Sequence, residues 1–83
     1  MGTLHIITDP NDRLPLKVAE QDGASATTIL LLQDGVFVQG QQGEVYACAD
    51  DVRARGVVSP YPLVDYEGII DLIFRHDKVI CWH

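Results

Sequence analysis

Positive charge is scarce in this chain. Six lysines and arginines stand against twelve aspartates and glutamates, giving a net charge of −6. The cations are scattered, with only Arg53 and Arg55 close together. A surface that neutralises nucleic-acid phosphates by itself is therefore not expected. Cysteine is scarce as well. Cys48 and Cys81 are too few for a disulfide scaffold and suit a reduced, cytoplasmic setting. Long apolar runs are missing: the longest aliphatic stretch, Ile29 to Leu32, falls far short of the roughly 20 residues of a membrane span. Met1-Gly2-Thr3-Leu4-His5 lacks the basic start and apolar stretch of a secretory leader, so none is expected. No glycine-rich phosphate loop, GxSxG elbow or paired-carboxylate arrangement occurs. No cofactor is implied.

What is present is a surplus of apolar residues. They make up 47% of 83 residues, room for one domain over residues 1–83. A chain this short buries only about 60–65% of the surface it exposes when unfolded. The surplus predicts an oligomer, homo- or heteromeric, in which a neighbour covers apolar surface.

The pattern along the chain alternates strands and helices. Thr3 to Thr8 reads as a first strand, stopped by Asp9-Pro10-Asn11-Asp12. A loose helical pattern follows over Arg13–Gln21, with Pro15 in its first turn. Thr27 to Gln33 shows no polar alternation, as in a strand covered on both faces. Asp34-Gly35 then turns the chain, and Val36 to Gln39 fits either a short helix or an extended piece. Glu44 to Cys48 is a third strand, and a short helix follows with Asp50 as N-cap and Gly56 as the closing glycine. Leu63-Val64 is a brief strand and Asp65 caps a second helix. In that helix Tyr66, Ile69, Ile70, Ile73 and Phe74 form one apolar stripe. Lys78 to Trp82 is the last of about five strands. Such alternation predicts an α/β fold, a small parallel sheet with helices on its faces.

Four blocks of sequence carry a resemblance: Leu4-His5; Leu31-Leu32-Gln33-Asp34-Gly35-Val36; Val45-Tyr46-Ala47 with Asp51-Val52-Arg53-Ala54-Arg55-Gly56; and Val64-Asp65-Tyr66 with Leu72, His76 and Trp82. In that order they resemble the LH, LLQDGV, VYAL…DL.ARG and DY..FV.L…H….W segments of the TusB/DsrH family of sulfur-relay proteins, in the DsrE/DsrF/DsrH-like superfamily. The resemblance implies a three-layer α/β/α subunit with a mostly parallel sheet. It implies partners of the DsrE/TusD and DsrF/TusC types in a cytoplasmic complex that passes persulfide sulfur. The sulfur goes toward 2-thiolation of the tRNA wobble uridine or belongs to sulfur oxidation. DsrH proteins can carry a cysteine in or near the first helix; Arg13 to Gln21 has none.

Cys48 is the candidate catalytic residue. It ends a strand just before a helix, where open α/β sheets place their sites and where the helix dipole favours a thiolate, the sulfur nucleophile. It also stands eight residues before Gly56, which resembles the C…RRG spacing of the sulfur-carrying cysteine in DsrE/TusD subunits. Asp50 and Asp51 oppose a thiolate there, and a free cysteine commonly packs as a small hydrophobe. Asp34 and Gly35 are candidates for lining a cleft at a strand end, and Arg53 and Arg55 for contacting a partner or polarising a persulfide. Solvated helix charges are the plainer reading of the arginines. Cys81 offers a resolving thiol for Cys48 or, with His83 and His76, a weak metal constellation; two ligands on one strand do not make a site. His5 reads as a structural strand histidine. Three functions stay open: an interface-supplying relay subunit, an active persulfide carrier through Cys48, and a stand-alone oligomeric α/β protein with no sulfur role.

Overall fold

A computed structural model describes residues 2–11, 17, 27–39 and 43–82. Five strands form its sheet: β1 Thr3–Ile7, β2 Thr27–Leu31, β3 Glu44–Cys48, β4 Leu63–Val64 and β5 Lys78–Trp82. A 3-10 helix, Gln33–Phe37, links β2 to β3; α1, Ala49–Arg55, links β3 to β4; α2, Tyr66–Arg75, links β4 to β5. The helix expected over Arg13–Gln21 lies, but for Lys17, outside the described residues. The strand order is β4-β3-β2-β1-β5, and every pairing is parallel.

Strand alternation divides the apolar residues into two cores. Ile7, Ile29, Leu31, Val45 and Ala47 face the side that carries Val36 and Val38 near the 3-10 helix and Val52 of α1. Leu4, Ile6 and Leu30 face the other side and meet Leu72 of α2. Burial on both faces explains why β2 shows no polar alternation and why β1 is apolar on both faces but for its ends and the buried His5. The two-sided arrangement also follows from handedness. The connections from β2 through β4 step one way across the sheet, whereas β4 to β5 steps back over three strands. Right-handed crossovers of opposite direction lie on opposite faces.

Local signals set the helix ends. Gly56 closes α1 in the left-handed region at φ 62°, where a side chain is costly. Helix α1 starts two residues earlier than expected: Cys48 is its N-cap, with no side-chain capping bond, and Asp50 lies inside the first turn. The polar start is thus a dipole effect of Asp50 and Asp51 rather than a cap. In α2, Asp65 is the cap, its Oδ1 accepting from the Gly68 N–H at 2.8 Å. Asp65→Ala is expected to lower stability by about 1 kcal/mol, read as a lower urea midpoint at unchanged m-value.

The apolar stripe of α2 is not centred on the sheet: Ile69 packs against the cluster of Leu4, Ile6, Leu30 and Leu72, while Tyr66, Ile73 and Phe74 stay exposed. The helix rests on Gly68, Leu72 and His76, one turn apart, with Ile69 beside them. A Cβ on Gly68 would sit 3.1 Å from Val64 Cβ, so glycine lets the helix approach β4. Leu72 is 1% exposed. His76 places Nδ1 2.6 Å from the Leu72 carbonyl, to which it donates, and Nε2 2.8 Å from Thr28 Oγ1. Thr28 in turn donates to Glu44 Oε2 at 2.8 Å. This chain of polar groups pins the end of α2 to β2 and β3. It satisfies Thr28, which is buried and would otherwise be a costly lone hydroxyl. With this seat fixed, Tyr66 and Phe74 are left 72% and 83% exposed.

Candidate functional site

The candidate residues lie around the carboxyl ends of β2 and β3. After β2, the Leu32 N–H donates to the Ile7 carbonyl at 3.0 Å, which holds the departing chain beside β1. Gln33 then takes a positive φ of 52°, a conformation that costs a non-glycine residue on the order of 1 kcal/mol. Its N–H donates to Asp51 Oδ2 at 2.8 Å, so α1 supplies the acceptor that stabilises the turn. The other oxygen of Asp51 accepts from Arg55 Nη1 at 3.2 Å, and Arg55 Nε donates to Asp34 Oδ1 at 2.8 Å. Together these bonds tie the loop after β2 to the end of α1. The hydrogen bond to Asp34 holds the Arg55 guanidinium above its ordinary pKa. The charges of Asp34 and Asp51 add to that rise, and burial opposes it.

Of the sequence candidates, the structure brings Asp34, Gly35 and Arg55 together. Gly35 lies buried under the end of β1. Arg53 is elsewhere: its Nη2 meets Asp50 Oδ1 at 3.0 Å with both side chains largely exposed, and its Nε donates to the Ala49 carbonyl at 3.4 Å. Asp51 and Gln33 complete the cluster; from sequence Asp51 reads as a charge opposing a thiolate at Cys48, and Gln33 is not a candidate. An acidic residue four positions before an arginine on a helix was the available signal.

Cys48 ends β3 as expected but is 9% exposed. Alternation puts its side chain on the α2 face with Tyr46, beside its register partner Val64. Both arginines of α1 spend their guanidinia on aspartates. The arrangement suits a packed thiol at a helix start. Its basic neighbours are already engaged.

Strand order weakens the argument from position. The switch point of this sheet lies between β1 and β5, where ligands of open α/β sheets ordinarily gather. Cys48 is two strands away from β1. At the switch point Thr8 Oγ1 donates to the Trp82 carbonyl at 3.1 Å. The Trp82 Nε1–H donates to His5 Nδ1 at 3.0 Å, the two rings stacked 6.2 Å apart. His5 is thus a buried structural partner of Trp82.

Cys81 is exposed on β5, paired in register with Ile6. It lies three strands from β3, roughly 14 Å at the usual strand spacing, and a disulfide needs Cα atoms within about 7 Å. The two thiols of one chain cannot bridge without parting the sheet, which corrects the resolving-thiol expectation. His83 lies outside the described residues. Among the described residues, no group of three His, Cys, Asp or Glu side chains is placed to hold a metal ion. No described helix is long and apolar enough to cross a membrane.

Comparison with known proteins agrees with this architecture. The crystal structure of the YchN protein from E. coli superposes with a TM-score of 0.65 at 13% identity, over 98% of this chain and 97% of that one. No curated protein matches by sequence. A family model described as DsrH like protein matches residues 13–79, a span that includes the Asp34–Arg55–Asp51 cluster, Cys48 and the capped helix α2. The chain belongs to this DsrH-like family, a sulfur-relay-related family.

Proposed function

We propose that this chain is a subunit of a cytoplasmic sulfur-relay complex and acts there mainly through interface and shape. Its partners are subunits of the DsrE/TusD and DsrF/TusC types. The persulfide sulfur passes toward 2-thiolation of a tRNA wobble uridine or takes part in sulfur oxidation. With a net charge of −6, any contact with the RNA belongs to a partner. Family membership supports the relay setting. One observation carries the interface role: the thiol that ends β3, Cys48, is buried at 9% exposure while the aromatic rings of α2 are open to solvent.

A second reading makes Cys48 the carrier. Its position as N-cap of α1 supports this, because the helix start favours a thiolate. In that reaction the Cys48 thiolate attacks the outer sulfur of a donor persulfide. A new S–S bond forms at Cys48, the donor S–S bond breaks, and the donor leaves as a thiolate without net oxidation.

Alkylation followed by peptide mapping separates the two. The interface role predicts that Cys48 reacts at least about tenfold more slowly than exposed Cys81, following accessibility. It also predicts that Cys48→Ser still co-purifies with DsrE- and DsrF-type subunits and supports sulfur transfer. Fast alkylation of Cys48, with loss of label from a persulfide donor in Cys48→Ser, establishes the carrier reading instead.

A further inference from the structure

Three polar side chains fasten the carboxyl end of α2 to the sheet, and their hydrogens can be counted. His76 Nδ1 lies 2.6 Å from the Leu72 carbonyl and Nε2 2.8 Å from Thr28 Oγ1, which itself lies 2.8 Å from Glu44 Oε2. A carbonyl oxygen only accepts, so Nδ1 carries a hydrogen. Thr28 has one hydroxyl hydrogen to give. When it goes to Glu44, Nε2 must donate to Thr28, and the ring is an imidazolium. When the ring is neutral, Nε2 claims that hydrogen, and Thr28 and Glu44 face each other with lone pairs alone. Glu44 is exposed, and an exposed carboxylate brings no hydrogen of its own. Thr28 is buried, so loss of a partner there is costly. Full bonding therefore takes one proton more than a neutral ring and a carboxylate hold between them.

The surroundings suit that proton. The ring stands at the carboxyl end of α2, where the helix dipole favours a cation. Glu44 of β3 faces it across Thr28. From β2 come Thr27 and Thr28, and from β1 comes Leu4, in register with Thr28; none is charged. Within α2, Arg75 is held by Asp71 at 3.0 Å. Beyond the helix, Asp77 and Lys78 lead into β5, both donating their N–H to the Gly2 carbonyl, at 3.1 and 3.3 Å. Among these charged groups, Glu44 alone is joined to the ring through hydrogen bonds.

We propose that His76 is a proton-operated latch on α2: the helix is fully fastened with both ring nitrogens protonated, and one anchoring bond is lost when that proton leaves. An imidazole in the unfolded chain gives up its proton around pH 6.5. Above that pH the fastened chain holds the proton that the unfolded chain has lost. The contribution of the latch is therefore complete below about pH 6.5 and falls away as pH rises. What loosens is the seat of the helix that presents Tyr66 and Phe74 to solvent. The latch requires no sulfur chemistry and stands apart from the relay reading.

The test is urea denaturation of the dilute full chain at about pH 6 and about pH 8.5, on either side of the ordinary imidazole range. Nitrogen NMR follows the His76 ring. Comparison between variants cancels whatever His5 and His83 contribute. Between the two pH values the folding equilibrium constant of the wild type is expected to drop about tenfold more than that of Thr28→Val, the contribution of one hydrogen bond to a charged group. His76 is expected to keep both ring protons at a pH where the ring in Thr28→Val has lost one. Glu44→Gln separates hydrogen counting from plain attraction between charges. An amide brings its own hydrogen, which frees the Thr28 hydroxyl to serve a neutral ring. That variant is expected to lose the extra pH dependence and to exceed the wild type about tenfold in folding constant at the higher pH. Attraction between His76 and Glu44 alone gives the opposite: no gain from Glu44→Gln at the higher pH, and a pH dependence that survives Thr28→Val. Either of those results overturns the latch, as does a His76 ring that loses its proton at the same pH in wild type and Thr28→Val.

Discussion

Gly35→Ala is expected to lower stability by at least about 3 kcal/mol, or to leave the chain unfolded, because no side chain can move to make room. A Cβ at this position would fall well inside contact distance of the Ile7 carbonyl oxygen, 2.9 Å from the carbonyl carbon and 3.3 Å from Thr8 Cα. All three are backbone atoms. The same carbonyl accepts the Leu32 N–H, so shifting β1 away would cost that bond as well. Against this, Gly→Ala normally gains about 0.4–1 kcal/mol through the unfolded state, too little to reverse the outcome. Urea denaturation would check it, and a loss below about 1 kcal/mol would show that β1 and the 3-10 helix are not packed as closely as described. Gly35 thereby acts on the candidate site. Its small size lets the loop carrying Asp34 lie over the end of β1 and reach Arg55.

Leu72→Ala is expected to cost about 3 kcal/mol, within the range for large-to-small changes in a closed core. Leu72 is the one buried residue of α2 and joins the cluster of Leu4, Ile6 and Leu30. For a domain near this size, that loss corresponds to roughly 12–24 °C in melting temperature. Phe74→Ala, on the same helix but 83% exposed, is expected to leave the stability of dilute monomer within about 0.5 kcal/mol. Calorimetry of the two variants at low concentration compares them. Similar losses for both would mean that α2 sits on its wide apolar stripe after all.

That contrast marks the boundary of what the sequence discloses. Elements specified by neighbouring residues were legible: Glu44–Cys48, Leu63–Val64 and Lys78–Trp82 as strands, Gly56 as a left-handed helix end, Asp65 as a cap. Each depends on chemistry within a few positions. The rotation of α2 was not fully legible, because the stripe of Tyr66, Ile69, Ile70, Ile73 and Phe74, of which Ile69 does pack on the core, outweighs Leu72 in any count of hydrophobicity. Its seat is decided instead by the small size of Gly68 against Val64 and by the hydrogen bonds of His76 to distant Thr28. Strand order was equally hidden, so Cys48 could be placed at a strand end but not related to the switch point beside β1. The 3-10 helix at Gln33–Phe37 depends on Asp51, eighteen residues away, which holds the strained Gln33 backbone. Within the site, spacing alone could not separate Arg53 from Arg55. Arg55 reaches Asp34 because the loop after β2 folds toward α1.

The distance between the two sulfurs has a consequence for traffic. Direct thiol–disulfide exchange requires one sulfur to collide with another, and three strand widths of rigid sheet keep Cys48 and Cys81 apart. A single molecule therefore has no internal hand-over route. Whatever sulfur arrives at either position must depart through a thiol on a different molecule, and mild oxidation of the isolated chain should yield linked pairs rather than looped monomers.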